Sequence, residues 1–146
     1  MIGTALIISI FVVAISILAY RGITGIWPGS RMIIEDPPTE VSGLTDTEAR
    51  FIFFSTDWCP FSQRAKDPWL NFKQEMLNTS KTYGGKTIVF EEVDCDAQKG
   101  KAAMYGIKEY PTFKLQTKEK MYKMCGNPSV ASFKAFLKSS LGNEST

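Results

Sequence analysis

The chain has 146 residues, 44% hydrophobic and 12% aromatic, and a net charge of only +2, far from the basic excess of a nucleic-acid binder. It contains no His, which removes the usual general base of Ser and Cys hydrolases and the commonest zinc ligand. Its three cysteines, Cys59, Cys95 and Cys125, are too few and too scattered for a disulfide framework or a four-ligand zinc site, so no metal and no cofactor is expected and any cysteine chemistry rests on individual thiols.

The first predicted element is a helix. From Met1 to Tyr20 no side chain is charged, and Ile, Val, Leu, Phe and Ala dominate, with Thr4, Ser9 and Ser16 able to bond back to helix carbonyls. At about 1.5 Å per residue such a helix covers roughly 30 Å, the thickness of a bilayer's hydrocarbon core. Residues 1–20 therefore read as one transmembrane helix with membrane lipid as its partner. A cleaved signal peptide would call for a basic start, a shorter apolar stretch and a small-x-small site, which only Ala14 and Ser16 imitate. Arg21 and Arg31 follow the span, which favours a single-pass protein with its domain on the cytoplasmic side. Asn78-Thr79-Ser80 and Asn143-Glu144-Ser145 would mark a lumenal domain if glycosylated.

Residues 21–48 turn to Gly, Pro, Ser, Thr and acidic side chains, with breakers at Pro28-Gly29-Ser30 and Pro37-Pro38, and read as a linker. Trp27 sits where interfacial aromatics lie, and Met32-Ile33-Ile34 is enough for a short edge strand. Charge is uneven: Glu35, Asp36, Glu40, Asp46 and Glu48 precede the core, whereas Lys101, Lys108, Lys114, Lys118, Lys120 and Lys123 come late. Both groups read as a solvated strand edge and helix face.

Residues 49–142 read as one α/β domain, followed by a polar tail, 143–146. Phe51-Ile52-Phe53-Phe54 suits a central strand buried on both sides. A helix is expected over 62–78, where Trp69, Phe72, Met76 and Leu77 recur at helical spacing, ended by Gly84-Gly85. Then come a strand over 87–93, a helix over 97–105 stopped by Gly106, and a hairpin of strands 112–116 and 120–124. Ser129 caps a last helix to Leu141, with Val130, Phe133, Phe136 and Leu137 on one face.

The chemistry concentrates where the first strand gives way to the first helix of the domain, at Trp58-Cys59-Pro60-Phe61-Ser62. Unpaired N–H groups and the dipole at a helix start favour an anion, so they lower a thiol's pKa and raise its thiolate fraction. This segment resembles the Trp-Cys-x-x-Cys motif of the thioredoxin superfamily. Tyr105-Gly106-Ile107 with Tyr110-Pro111-Thr112-Phe113 resembles that family's Tyr-Gly-Val and Ile-Pro-Thr segment, in the same order and at matching spacing. The likeness covers Phe51 to Leu141 and implies a thioredoxin-like fold, a central mixed sheet flanked by helices.

The resemblance further implies that Cys59 is the exposed nucleophile and Pro111 a cis-proline lying against it, with Trp58, Pro60 and Tyr110 around the substrate groove. It also puts Cys125 and Gly126 on the rim beside the Cys59 and Pro111 loops, where Cys125 is either a resolving partner that bridges to Cys59 or a rim thiol. Cys95, in Val93-Asp94-Cys95-Asp96, reads as structural. Three departures matter. Ser62 replaces the resolving cysteine and cannot form a disulfide, though its hydroxyl can hydrogen-bond the Cys59 thiolate. Phe53 stands where thioredoxins carry a buried acid. Pro68 lies nine residues after Cys59, against the family's eight for its helix proline.

Two functions remain open. In the first, a membrane-tethered monothiol protein forms mixed disulfides with protein clients, in thiol-disulfide isomerisation or client retention, with Cys59 and Ser62 as its working residues; whether any enzymatic turnover survives is left open. In the second, the fold is a non-catalytic adaptor or building block of a larger assembly, its groove reused for docking neighbours. Anchored thioredoxin-like heads of this style occur in the membranes and shells of large DNA viruses, where the domain would face the capsid. A third reading draws on Cys-Pro-Phe-Ser, which is similar to monothiol glutaredoxins that bind glutathione; the Trp before Cys59 and the Tyr-Pro-Thr loop fit thioredoxin better.

Overall fold

The computed structural model describes residues 2–24, 33–36 and 43–145. In chain order the elements are α1 (Ile2–Thr24), β1 (Ile33–Asp36), β2 (Glu48–Ser55), α2 (Pro60–Thr79), β3 (Thr82–Tyr83), β4 (Lys86–Asp94), α3 (Lys99–Met104), β5 (Thr112–Gln116), β6 (Met121–Met124), α4 (Val130–Leu141) and β7 (Glu144–Ser145). The expected strand-helix alternation is present, and the strands join into a single mixed sheet in the order β1-β6-β5-β2-β4-β3-β7.

Strand β2 is central because its residues are apolar on both faces. It runs parallel to β4, with Phe51 opposite Phe90, and antiparallel to β5, with Phe53 opposite Phe113. Ala49, Phe51 and Phe53 point to one face, where α2 and α4 lay down Trp69, Phe72, Phe133 and Phe136. The ring of Phe51 lies 5.0 Å from Trp69 and 5.6 Å from Phe133, and Phe53 stacks on Phe113 at 4.8 Å. Ile52 and Phe54 point to the other face, beneath α3, with Val93, Cys95, Tyr105 and Met121.

Helix boundaries follow local chemistry. Cys59 is the N-cap residue of α2 with Pro60 in its first turn, where a missing N–H costs nothing. Pro68 sits inside α2, which continues to Thr79. Helix α3 starts two residues later than expected because the Ala97 N–H donates to Asp94 Oδ1 and the Gln98 N–H to the Asp94 carbonyl. Ser129 caps α4 as expected: its Oγ accepts from the Ser132 N–H at 3.1 Å, and its own N–H donates to Ser132 Oγ at 2.9 Å.

Two expectations need correction, a third was met in part and a fourth is left without support. The tail over 143–146 is not only a polar extension: Glu144 and Ser145 pair with Tyr83 and Thr82, and Tyr83 Oη donates to Glu144 at 3.0 Å. The linker over 21–48 contributes β1, antiparallel to β6, of which Ile33 and Ile34 were expected and Met32 lies outside the described residues. Lys114, read as solvated, is 6% exposed; its ammonium donates to the Tyr105 carbonyl at 2.9 Å, because β5 is covered on both faces. Lastly, among the described residues no helix is long and apolar enough to cross a membrane. The side chains of residues 1–7 lie outside those described, so the span expected over 1–20 is not supported by what is described. Trp27 and the two proline breakers also lie outside them.

Candidate functional site

At one end of the sheet the C-terminal end of β2, the start of α2 and the start of β5 converge. The turn after β2 is fixed by Ser62, which is fully buried and whose Oγ accepts from the Thr56 N–H at 3.4 Å. Thr56 Oγ1 beside it is buried with no hydrogen-bond partner among the described residues. That turn delivers Cys59 to the N-terminus of α2, with φ −84° and ψ 116°, so its side chain meets the first amides of the helix.

The N–H of Ser62 is the main cause that holds the Cys59 thiol below its ordinary pKa; burial opposes it, and the Phe61 N–H, the Ser62 hydroxyl and the Arg64 charge add to it. Arg64 also lies over the Phe61 ring, 4.7 Å from its centroid, and donates to the Pro60 carbonyl at 3.3 Å. Thiolate character is thus favoured by the helix start, as its position in the sequence implies. Cys95 behaves oppositely: burial at the end of β4 raises its pKa, and Asp94 and Asp96 push it further the same way.

The Tyr110-Pro111 bond is cis, as the resemblance implied. This loop crosses Cys59, whose Sγ lies 3.6 Å from the Tyr110 carbonyl. In consequence Cys59 is 7% exposed, which corrects the expectation of an exposed sulfur. Burial is nonetheless outweighed by the Ser62 amide, so the thiol stays below its ordinary pKa. Around Cys59 the apolar surface is open: Trp58 is 66% and Phe61 63% exposed. Trp58 is steadied by an edge contact with Tyr110 and by its Nε1–H, 3.4 Å from Asp96 Oδ1.

Trp58, Cys59, Pro60, Ser62, Tyr110 and Pro111 are therefore brought together. Cys125 and Gly126 follow β6 directly, next to the start of β5, with Gly126 at φ 118°. No disulfide joins Cys59, Cys95 or Cys125, so the bridge considered between Cys59 and Cys125 is not formed. Phe53 is buried among aromatic rings and brings no carboxylate under the site. Sequence reading missed Phe61 and Arg64 as neighbours of the thiol and Asp96 as the partner of Trp58. For Phe61 and Arg64 the signal was their place in the first two turns after Cys59; for Asp96 there was none short of the fold. No group of three or more His, Cys, Asp and Glu gathers to hold a metal among the described residues.

A family model described as Thioredoxin matches residues 41–139. Human ERp44 in a zinc-bound form is 26% identical with a TM-score of 0.55, covering 64% of this chain and 27% of that one. The J-Trx1 fragment of ERdj5 is 19% identical with a TM-score of 0.54, over 67% of this chain and 44% of that one. A protein described as malarial is 20% identical with a TM-score of 0.52, over 64% and 98%. The last two likenesses are of fold alone, and the chain spans about a quarter of the length of ERp44. No curated protein matches the chain.

Proposed function

The chain belongs to the thioredoxin family, and on that footing we propose that it is a monothiol exchange protein which forms mixed disulfides with client proteins through Cys59. The observation that carries this reading is the sulfur's place on the first amides of α2, beneath the cis Tyr110-Pro111 loop, where the thiolate is favoured. The Cys59 thiolate attacks one sulfur of a client disulfide. A bond forms between Cys59 and that sulfur, the client S–S bond breaks, and the other client sulfur leaves with the electron pair and takes a proton from water.

Ser62 has no sulfur to expel the client, and Phe53 has no carboxyl to accept a proton, so turnover as a reductase is not part of the proposal. Isomerisation or retention of clients is, since both need only the mixed disulfide that a single thiol can form. We also propose that α1 anchors the domain to a membrane. No charged residue precedes Arg21 in the chain, and Ile8, Ile10, Phe11, Val12 and Ile15 are all exposed along the helix. The burial of Cys59 beneath Tyr110 favours a second reading, in which the exposed Trp58 and Phe61 simply dock a permanent neighbour and no exchange takes place.

Incubating the full chain with a disulfide-bonded client, quenching with acid and running a non-reducing gel separates the two. Adducts that disappear in Cys59→Ala, and turn over faster in Ser62→Cys, are expected of exchange. An unmodified Cys59 after prolonged exposure to disulfide and to iodoacetamide would leave only docking.

A further inference from the structure

Strand pairing fixes where the polypeptide enters the domain. Strand β1 runs antiparallel to β6 with Ile33 opposite Met124 and Asp36 opposite Met121. Met124 is the last residue of β6, directly before Cys125, and lies at the end of the sheet where β2 finishes and β5 begins. The chain therefore comes in from α1 at the Cys59 end and not at the opposite end, where the β5–β6 turn lies.

Helix α1 stops at Thr24 and β1 starts at Ile33. Fully extended, that much backbone reaches about 30 Å at most. The eight residues of β2 already measure about 26 Å from one end of the sheet to the other. To present the far end of the domain to a bilayer holding α1, the connection would have to run almost straight down the whole depth of the sheet. Presenting the Cys59 end asks for no such extension. The rim at that end also carries the exposed rings of Trp58 and Phe61, side chains that suit the interface between water and headgroups.

From this we infer that the Cys59 end of the domain faces the membrane that holds α1, so that its clients are disulfides lying next to the bilayer, in the segments that flank the spans of other membrane-anchored chains. The inference rests on the anchoring and exchange proposed above. Clients in bulk solvent would approach a site crowded by the membrane on one side, whereas a disulfide held at the surface meets it at high effective concentration.

The test uses the full chain in phosphatidylcholine vesicles that carry a small fraction of phosphatidylethanolamine with a pyridyl disulfide on its headgroup. Attack by a protein thiolate on the lipid-side sulfur forms the protein-lipid disulfide and expels pyridine-2-thiolate, which is protonated to the coloured thione. With Cys125→Ser in every chain, because that thiol lies at the same end, the same rate is measured with a water-soluble pyridyl disulfide, and both are repeated for the thiol introduced by Glu119→Cys in a Cys59→Ala chain, at the exposed β5–β6 turn. With each lipid-probe rate divided by its soluble-probe rate, Cys59 is expected to exceed position 119 by roughly tenfold or more. A ratio near one, or one favouring position 119, overturns the inference while the chain still floats with the vesicles. Failure to float overturns the anchoring and this inference with it. A Cys59 inert to the soluble probe, when position 119 reacts, overturns the exchange reading and the client class together.

Discussion

The two faces of the sheet are built on different principles. Beneath α2 and α4 the packing is nearly all ring and methyl: Phe51 is met by Trp69, Phe72, Phe113, Phe133 and Phe136 at 5.0–6.3 Å. Beneath α3 the apolar residues share space with polar ones, where Tyr105 Oη donates to Gln116 Oε1 at 2.8 Å and the Lys114 ammonium donates to the Tyr105 carbonyl. Area removed from water supports the first face, and its energy is non-directional. Matched donors and acceptors support the second, which contributes less net stability but penalises any misplacement of α3, whose neighbouring loop leads to the cis bond.

The largest test of that contrast is Phe51→Ala, which should cost about 3–5 kcal/mol in urea unfolding through lost contacts and a cavity. Next, Lys114→Ala should cost about 1–3 kcal/mol by leaving the Tyr105 carbonyl buried and unpaired, whereas Lys114→Met should cost no less. If the Lys114 variants rival Phe51→Ala, the division of labour between the faces is wrong. Removing the α4 cap with Ser129→Ala should cost about 1 kcal/mol and loosen the aromatic face alone, visible as faster amide exchange in α4.

The smallest effects concern the thiols, whose ionisation is pushed in opposite directions. Alkylation of Cys59 should reach half its maximal rate at a pH below the ordinary thiol value, because the Ser62 N–H holds the thiolate. The native state thus gains from this group above the ordinary thiol pKa and loses that gain as pH falls through the depressed one. Cys95, raised by burial, follows the reverse order: its contribution is present at neutral pH and is lost as pH climbs through its elevated value. Ser62→Ala should shift the Cys59 profile only slightly upward, since the dominant amide stays in place. A large shift would mean that the hydroxyl, not the helix start, controls the sulfur.

Much of this was readable from residue order. Phe51-Ile52-Phe53-Phe54 announced the central strand, Ser129 the last helix, and Tyr110-Pro111 the cis bond, because each depends on neighbours in sequence or on a motif. What escaped depends on partners far along the chain. Strands β3 and β7 are two residues each and have no periodicity to detect; they exist because Thr82 and Tyr83 meet Ser145 and Glu144. Lys114 read as a surface residue because only the fold puts the Tyr105 carbonyl over it. That the Pro111 loop lies against Cys59 was implied by the resemblance; that the Tyr110 carbonyl then leaves this residue 7% exposed was not.

The order of the strands leaves one practical corollary. Both rims of the sheet are closed by short pieces from the flanks of the chain, four residues of β1 at one and two residues of β7 at the other. A fragment trimmed to the family-matched stretch, 41–139, would lose both and bare the hydrogen-bonding rows of β6 and β3. Unshielded rows of that kind recruit other chains, so the shortened fragment should precipitate or form oligomers at concentrations where a domain that keeps residues 33–145 stays dispersed.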